Sequence, residues 1–167
     1  IERGTHAVER FLRPYIGGPF ETVGGYADVL DAVAREQPGL AVALAMGGLD
    51  TERALDTWRS HGQRAHAALA GAKTGRYDGL FVVRCDGEAP VGTVARLARD
   101  FRSPEPVVLV VADGEAAAVG PAESSVDDAI ETAAQAVGGE GAGIPTRGRA
   151  RFDADETEFV LAFREAQ

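Results

Sequence analysis

The segment PVVLVVAD, residues 106–113, is the part of this sequence that most clearly indicates the fold. An unbroken apolar run, rich in valine, lies between a proline and an aspartate. A run of this length and composition is typical of a strand that is buried on both faces of a sheet. The sequence therefore predicts a central strand with other layers of the domain packed against it.

The elements on either side of this strand predict an α/β unit. GLFVVRC at 79–85 predicts an earlier strand, and VGTVARLARDF at 91–101 predicts a helix with Val94, Leu97 and Phe101 facing inward. After the Asp113-Gly114 turn, a third strand at 116–120 is expected to form a hairpin with the central strand.

The rest of the unit continues the same alternation. Ser124 or Ser125 is expected to cap a helix that runs to about residue 137, and a glycine-rich loop then leads into the strand RGRARF. Asp153 and Glu156 have the spacing of a capping box for a last helix. The predicted order is β-α-β-β-α-β-α, which is a small mixed sheet with helices packed on it.

The N-terminal part predicts helices only. Apolar periodicity indicates helices at 5–15, at about 22–36 and at 50–70, and the wholly apolar LAVALAM at 40–46 predicts a buried segment. AGAKTGRYD at 70–78 has the composition of a connection, and its GAKTG lacks the glycine that a P-loop places directly before the lysine. We therefore expect a helical connector at 1–72 and an α/β domain at 77–167.

Composition indicates a salt-adapted protein without a membrane partner. The net charge is −9, and Lys73 is the one lysine among 17 basic residues, a balance typical of proteins from salt-loving microbes. No apolar run reaches the roughly 18–20 residues of a membrane span. The single Cys85 excludes an internal disulfide and favours a cytoplasmic setting. Because the sequence begins with isoleucine, we expect it to be part of a longer protein.

The residues predict no complete catalytic site. All three histidines, His6, His61 and His66, lie in the helical part, so no histidine is available as a base for the serines of the second part. His61 and His66 are five residues apart and point to different sides of a helix, so they are expected to be surface or capping residues rather than metal ligands. Acidic pairs stand at helix starts, where the helix dipole accounts for them.

The stretch AVGGEGAGIPTRGRARFD, residues 136–153, is the candidate functional site. Its glycines allow close backbone approach or a left-handed turn, and its alternate arginines point to one side of a strand. Two interpretations remain open: a phosphate-binding site, or a tight turn followed by a solvated strand face. The candidate residues are Gly138, Gly139, Glu140, Gly141, Gly143, Arg147, Arg149 and Arg151.

Three stretches resemble one protein family. GGYADVLDAVAREQPGLAVALAMG at 24–47 resembles the helical connector of archaeal RecJ-like DHH phosphoesterases, and the composition suggests a haloarchaeal source. Residues 77–111 resemble the opening of the DHH-associated C-terminal domain. GGEGAG at 138–143, which precedes GRARF, resembles the GGH…AG loop of that family.

The resemblance implies a part of a two-lobed, metal-dependent phosphodiesterase. In this family a catalytic lobe with an Asp-His-His motif holds two metal ions, usually manganese and otherwise magnesium, and the C-terminal domain grips the substrate backbone. This sequence has no Asp-His-His motif, so the resemblance implies no cofactor in this chain and a catalytic lobe that precedes it or is degenerate. The implied partners are single-stranded DNA or RNA and the replisome GINS complex.

Two departures from the family pattern bear on function. The loop histidine that contacts phosphate in the family corresponds to Glu140, and AAAVGPA at 116–122 has no arginine where the family often has Ser-x-Arg. The main expectation is a single-strand-binding domain of a RecJ-like exonuclease. The alternatives are a non-catalytic protein-interaction subunit of the replisome and a phosphodiesterase for small oligonucleotides or cyclic dinucleotides.

Overall fold

The computed structural model describes residue 20, residues 22–48 and residues 50–167. The chain forms two compact units, Ile1–Gln63 and Arg64–Gln167. The predicted helix at 5–15, which contains His6, lies outside the described residues.

The described part of the first unit is mainly helical, as predicted. Helix α1 spans Val23–Glu36, α2 spans Pro38–Ala45, and α3 spans Thr51–Gly71 and continues into the second unit. Thr22 caps α1, because its hydroxyl oxygen accepts a hydrogen bond of 3.0 Å from the Gly25 N–H.

Two predictions for the helical unit are wrong. The segment 40–46 is not buried all round: Ala41 and Leu44 are buried, whereas Val42 and Met46 are 60% and 83% exposed. An all-apolar sequence cannot indicate which side of a helix packs, and here one side does. His61 is a buried residue whose Nδ1 lies 2.7 Å from Glu36 Oε1, whereas His66 is exposed as predicted.

The second unit contains a six-stranded mixed sheet with the order β1-β2-β3-β4-β6-β5. Strands β2 and β3 are parallel, and every other neighbouring pair is antiparallel. The strands are β1 Lys73–Tyr77, β2 Leu80–Arg84, β3 Val107–Ala112, β4 Glu115–Val119, β5 Glu140–Ile144 and β6 Arg147–Arg151. The helices are α4 Val91–Phe101, α5 Val126–Ala136 and α6 Glu156–Ala166. The predicted α/β class is confirmed.

Strand β3 is the predicted central strand, and every one of its residues is buried. Successive side chains of a strand point to opposite faces. Leu109 and Val111 therefore join the core beneath α5 and α6, and Val108 and Val110 join the core beneath α4. The continuous apolar run in the sequence reflects this burial on both sides.

Two segments predicted to be irregular are edge strands. Lys73–Tyr77, predicted as a connection, turns at Asp78-Gly79 and pairs with β2. Glu140–Ile144, predicted as a glycine loop, turns at Pro145-Thr146 and pairs with β6. Neither segment has a strong apolar pattern, because an edge strand can be held mainly by backbone hydrogen bonds to its neighbour.

Three local predictions in this unit are also wrong. Phe101 is 83% exposed, because it lies at the last residue of α4, past the buried face. Ser125 precedes α5 in a left-handed conformation and makes no side-chain capping bond. Helix α6 is capped by Asp155, which accepts a 2.7 Å hydrogen bond from the Thr157 N–H, and not by Asp153. None of the helices within the described residues has both the length and the apolarity to cross a bilayer.

Candidate nucleic-acid interface

Strand β6 presents its three arginines on one side, as the sequence predicts. Gly148 and Ala150 are buried, whereas Arg147, Arg149 and Arg151 are exposed. Ala150 belongs to the core beneath α5 and α6, so the arginines point to the side of the sheet on which α4 packs. We call the exposed surface formed by Arg147, Arg149 and Arg151 the arginine face.

The strands on either side of β6 divide the arginine face into two parts. Directly paired residues of neighbouring strands point to the same face. Arg147 and Arg149 therefore lie among small or apolar side chains, while Arg151 lies between two carboxylates. In register order the neighbours are Val119 and Ile144 beside Arg147, Ala117 and Ala142 beside Arg149, and Glu115 and Glu140 beside Arg151.

Arg151 is paired with an acidic residue. Its Nε and Nη2 lie 3.0 Å and 2.9 Å from Glu115 Oε1. Among the described residues, neither Arg147 nor Arg149 forms an ion pair. The positive potential of the arginine face is therefore expected to be concentrated at Arg147 and Arg149.

Arg149 lies against the first turn of α4. A Cβ atom placed on Gly92 would overlap Arg149 Nη2, so the missing side chain of Gly92 leaves the space that the guanidinium occupies. Gly92 and Glu115 are the neighbours of the arginines that sequence reasoning missed. A glycine in the first turn of a helix is a weak signal, and nothing local in the sequence connects it to Arg149.

Three glycines of the β5–β6 hairpin allow α5 to pack closely. A Cβ on Gly148 would lie 2.5 Å from Ile130 Cγ2, and one on Gly141 would lie 2.9 Å from the Ile130 carbonyl oxygen. A Cβ on Gly143 would lie 2.5 Å from the Arg147 carbonyl oxygen of β6 and 3.2 Å from Asp127 Cβ of α5. Since α5 covers this side of the hairpin, close packing accounts for these glycines.

Gly138 and Gly139 end helix α5. Gly138 has φ of +74°, a left-handed conformation that favours glycine. The Gly138 N–H donates to the Gln135 carbonyl and the Gly139 N–H to the Ala134 carbonyl, which is the hydrogen-bond pattern of a Schellman motif. The tight-turn interpretation therefore has a direct structural explanation at these two residues.

The arginines of β6 lie beside the segment 116–122, which contains no arginine. Ala117 and Val119 belong to the 116–122 segment, and they pair directly with Arg149 and Arg147. Glu140 is exposed at the start of β5, on the same side as Arg151. The face thus offers guanidinium groups at one end and carboxylates at the other.

The described residues hold a thiol of low reactivity and no candidate metal site. Burial, with smaller effects of Glu156 and Asp86, raises the pKa of the Cys85 thiol to about 11, so the reactive thiolate is scarce at neutral pH. Within residues 20, 22–48 and 50–167, no three His, Cys, Asp or Glu side chains come together as a candidate metal site. These residues do not fit manganese or magnesium, so no metal-dependent step is assigned to them.

A separate surface cleft contains none of the predicted site residues. It has a volume of about 540 Å³ and is lined in part by Tyr77, Glu123 and Arg164. The Arg164 guanidinium lies 4.0 Å from the centre of the Tyr77 ring, which it covers. The arginine face is therefore a different surface from this cleft.

Comparison with known proteins identifies the family. The C-terminal domain family of the uncharacterized protein rrnAC1427 matches residues 72–165, more than half of the chain, and the chain belongs to this family. The uncharacterized protein rrnAC1427 of Haloarcula marismortui is 60% identical over 161 residues, which are 96% of this chain and 43% of that protein. The chain thus spans less than half of this relative, whose source agrees with the predicted haloarchaeal origin.

Solved structures share the fold of the chain. RecJ from Thermus thermophilus in complex with Mn²⁺ has a TM-score of 0.69 at 18% identity, covering 96% of this chain and 26% of RecJ. The Mg²⁺ complex of the same RecJ has a TM-score of 0.67 at 19% identity, and the match covers 96% of this chain and 27% of RecJ. The DHH domain of a member of the s1p family of ribosomal proteins has a TM-score of 0.52 at 14% identity. This match covers 84% of this chain and 40% of that structure. The predicted resemblance to a RecJ-like C-terminal domain is confirmed at the level of the fold.

Proposed function

We propose that this chain is the substrate-binding C-terminal domain of a cytoplasmic RecJ-like, metal-dependent single-strand exonuclease, and that it binds single-stranded DNA or RNA. The observation that supports this most directly is the pair Arg147 and Arg149, exposed side by side without an acidic partner among the described residues. Catalysis belongs to another lobe of the longer protein, which holds the manganese or magnesium.

The chemistry of the two arginines suits a phosphate backbone. Guanidinium groups bind phosphate through two parallel N–H bonds. Alternate residues of a strand are about 7 Å apart, so the two side chains can contact different phosphates of one strand. Glu115 and Glu140 repel phosphate at the opposite end, so contact is expected to be confined to the Arg147 and Arg149 end.

The test is fluorescence anisotropy with a labelled single-stranded DNA oligonucleotide across a salt series, with a duplex as the comparison. We expect tighter binding to the single strand and an affinity that falls as salt rises, because phosphate contacts release counterions. Arg147→Ala and Arg149→Ala should each reduce the slope of log K against log salt by about one. Lys73→Ala is the matched control, since it removes one exposed cation from the other face of the sheet.

The outcomes separate the proposal from its alternatives. If both arginine variants bind like the Lys73 control, the arginine face is a solvated strand face and the proposal fails. The pure chain is expected to show no nuclease activity with manganese, and turnover that copurifies with the chain would contradict the placement of catalysis in another lobe.

An exposed aromatic side chain favours a second candidate function. Phe101 projects from the end of α4, and Ile144 is exposed beside Arg147 on the hairpin. Contiguous apolar patches rimmed by polar residues are typical of protein-binding surfaces. Absence of single-strand binding by the wild type, even at low salt, would favour a protein-interaction subunit with a replisome partner such as the GINS complex.

A further inference from the structure

Helix α4 carries arginines on the side that faces β6. The helix packs on the sheet through Val91, Val94, Ala95 and Ala98, and Gly92 lies beside Arg149 of β6. Residues three or four apart share one side of a helix. The Gly92 side therefore continues, one and two turns later, with Arg96 and Arg99, both of which are exposed.

The directions of the elements place Arg96 and Arg147 on the same side of the contact between Gly92 and Arg149. A helix that connects two parallel strands runs opposite to them, so α4 runs opposite to β3. Strand β4 reverses the direction of β3, and β6 reverses it again, so α4 also runs opposite to β6. From the contact between Gly92 and Arg149, Arg96 lies about 6 Å along α4 and Arg147 about 7 Å along β6, in the same direction.

The two pairs of exposed arginines lie on neighbouring elements of the same face of the sheet. Among the described residues, Arg96 and Arg99 form no ion pairs, like Arg147 and Arg149. Several unpaired guanidinium groups on one surface repel one another and raise the local concentration of anions. In a chain whose net charge is −9, this local concentration of positive charge stands out.

We infer that Arg96 is a phosphate contact that continues the arginine face onto α4, so that a single strand lies across both β6 and α4. The inference rests on the proposed function and extends it to a residue that the arginine face does not include. The strand then contacts guanidinium groups of both elements rather than those of β6 alone.

The inference is tested with Arg96→Gln in the same anisotropy assay, with Lys73→Gln as the control that removes the same charge elsewhere. Arg96→Gln is expected to reduce the salt slope by about one, as Arg147→Gln does. Its melting temperature should equal that of the wild type, because the side chain is exposed and has no ion pair to lose.

A second measurement shows directly which side chains lie next to the bound oligonucleotide. Cysteine is introduced as Arg96→Cys, Arg147→Cys or Lys73→Cys, and each protein is incubated with an oligonucleotide that carries a thiol-reactive group on its backbone. Arg96→Cys and Arg147→Cys are expected to cross-link, and Lys73→Cys is not. If Arg147 variants lose affinity while Arg96 variants behave like the Lys73 controls in both assays, the inference is wrong and the proposed function stands. A wild type that does not bind overturns both.

Discussion

Gly148→Ala is the substitution that most sharply tests the packing of α5 on the β5–β6 hairpin. The new Cβ would lie 2.5 Å from Ile130 Cγ2, whereas carbon atoms in contact are normally about 3.5–4.0 Å apart. Ile130 is fully buried in the core beneath α5 and α6, so it cannot move aside freely. Overpacking of this kind costs about 1–3 kcal/mol, partly offset by about 0.4–1 kcal/mol because alanine restricts the unfolded chain.

Gly148→Ala should therefore lower the free energy of unfolding by about 1–2 kcal/mol. Urea unfolding followed by circular dichroism measures this loss as a lower urea concentration at the midpoint. For a chain of this size the melting temperature should fall by about 2–4 °C per kcal/mol. Gly75→Ala is the matched control. Gly75 lies in the edge strand β1, and its Cβ would meet only the Tyr77 ring, whose nearest atom Cε2 is at an ordinary contact distance of 3.4 Å.

The physical cause is tested by removing the obstructing side chain. Ile130→Ala alone should cost about 2–5 kcal/mol, because it leaves a cavity in the core. In that background the Cβ of Gly148→Ala no longer meets Cγ2, and its nearest neighbour is the remaining Cβ of residue 130 at 3.2 Å. Its cost should therefore become much smaller, and the two effects should be clearly non-additive. If Gly148→Ala is harmless, or costs the same in both backgrounds, Ile130 is not the reason for the glycine.

Four further predictions follow from individual residues. The Cys85 thiol should react with a disulfide reagent at pH 8 much more slowly in the native chain than in denaturant, because burial raises its pKa to about 11. Equal reaction rates in the two states would contradict the burial of this thiol. The Thr157 hydroxyl and N–H lower the pKa of Asp155, so its contribution to stability is present above pH 4 and is lost as the pH falls through the lower native value. Asp155→Asn should therefore lower the melting temperature at pH 7 and have little effect near pH 2, and a constant difference across this range would refute the assignment. Glu140→His should strengthen single-strand binding, since a donor replaces a carboxylate; unchanged affinity would mean that this end of the face meets no phosphate. Gly92→Ala should displace Arg149 and weaken binding with little loss of stability, because the obstructing atom ends a flexible side chain, and a large drop in melting temperature would show otherwise.

The sequence alone determined the elements whose pattern is local. The run at Val107–Ala112 predicted a central strand because every residue of such a strand must be apolar when both faces are covered. The alternation of Arg147, Arg149 and Arg151 predicted a common direction because the side chains of a strand repeat every second residue. Both patterns depend only on backbone geometry and burial, which can be read along the chain.

Only the tertiary structure decided which segments pair at the sheet edges and what surrounds each arginine. Lys73–Tyr77 and Glu140–Ile144 are strands because a neighbouring strand supplies backbone partners, and their side chains give little sign of it. The pairing of Arg151 with Glu115, and the space that Gly92 leaves for Arg149, arise between elements far apart in the chain. Such contacts depend on how whole elements pack together, so they cannot be predicted from the periodicity of any one segment of the sequence.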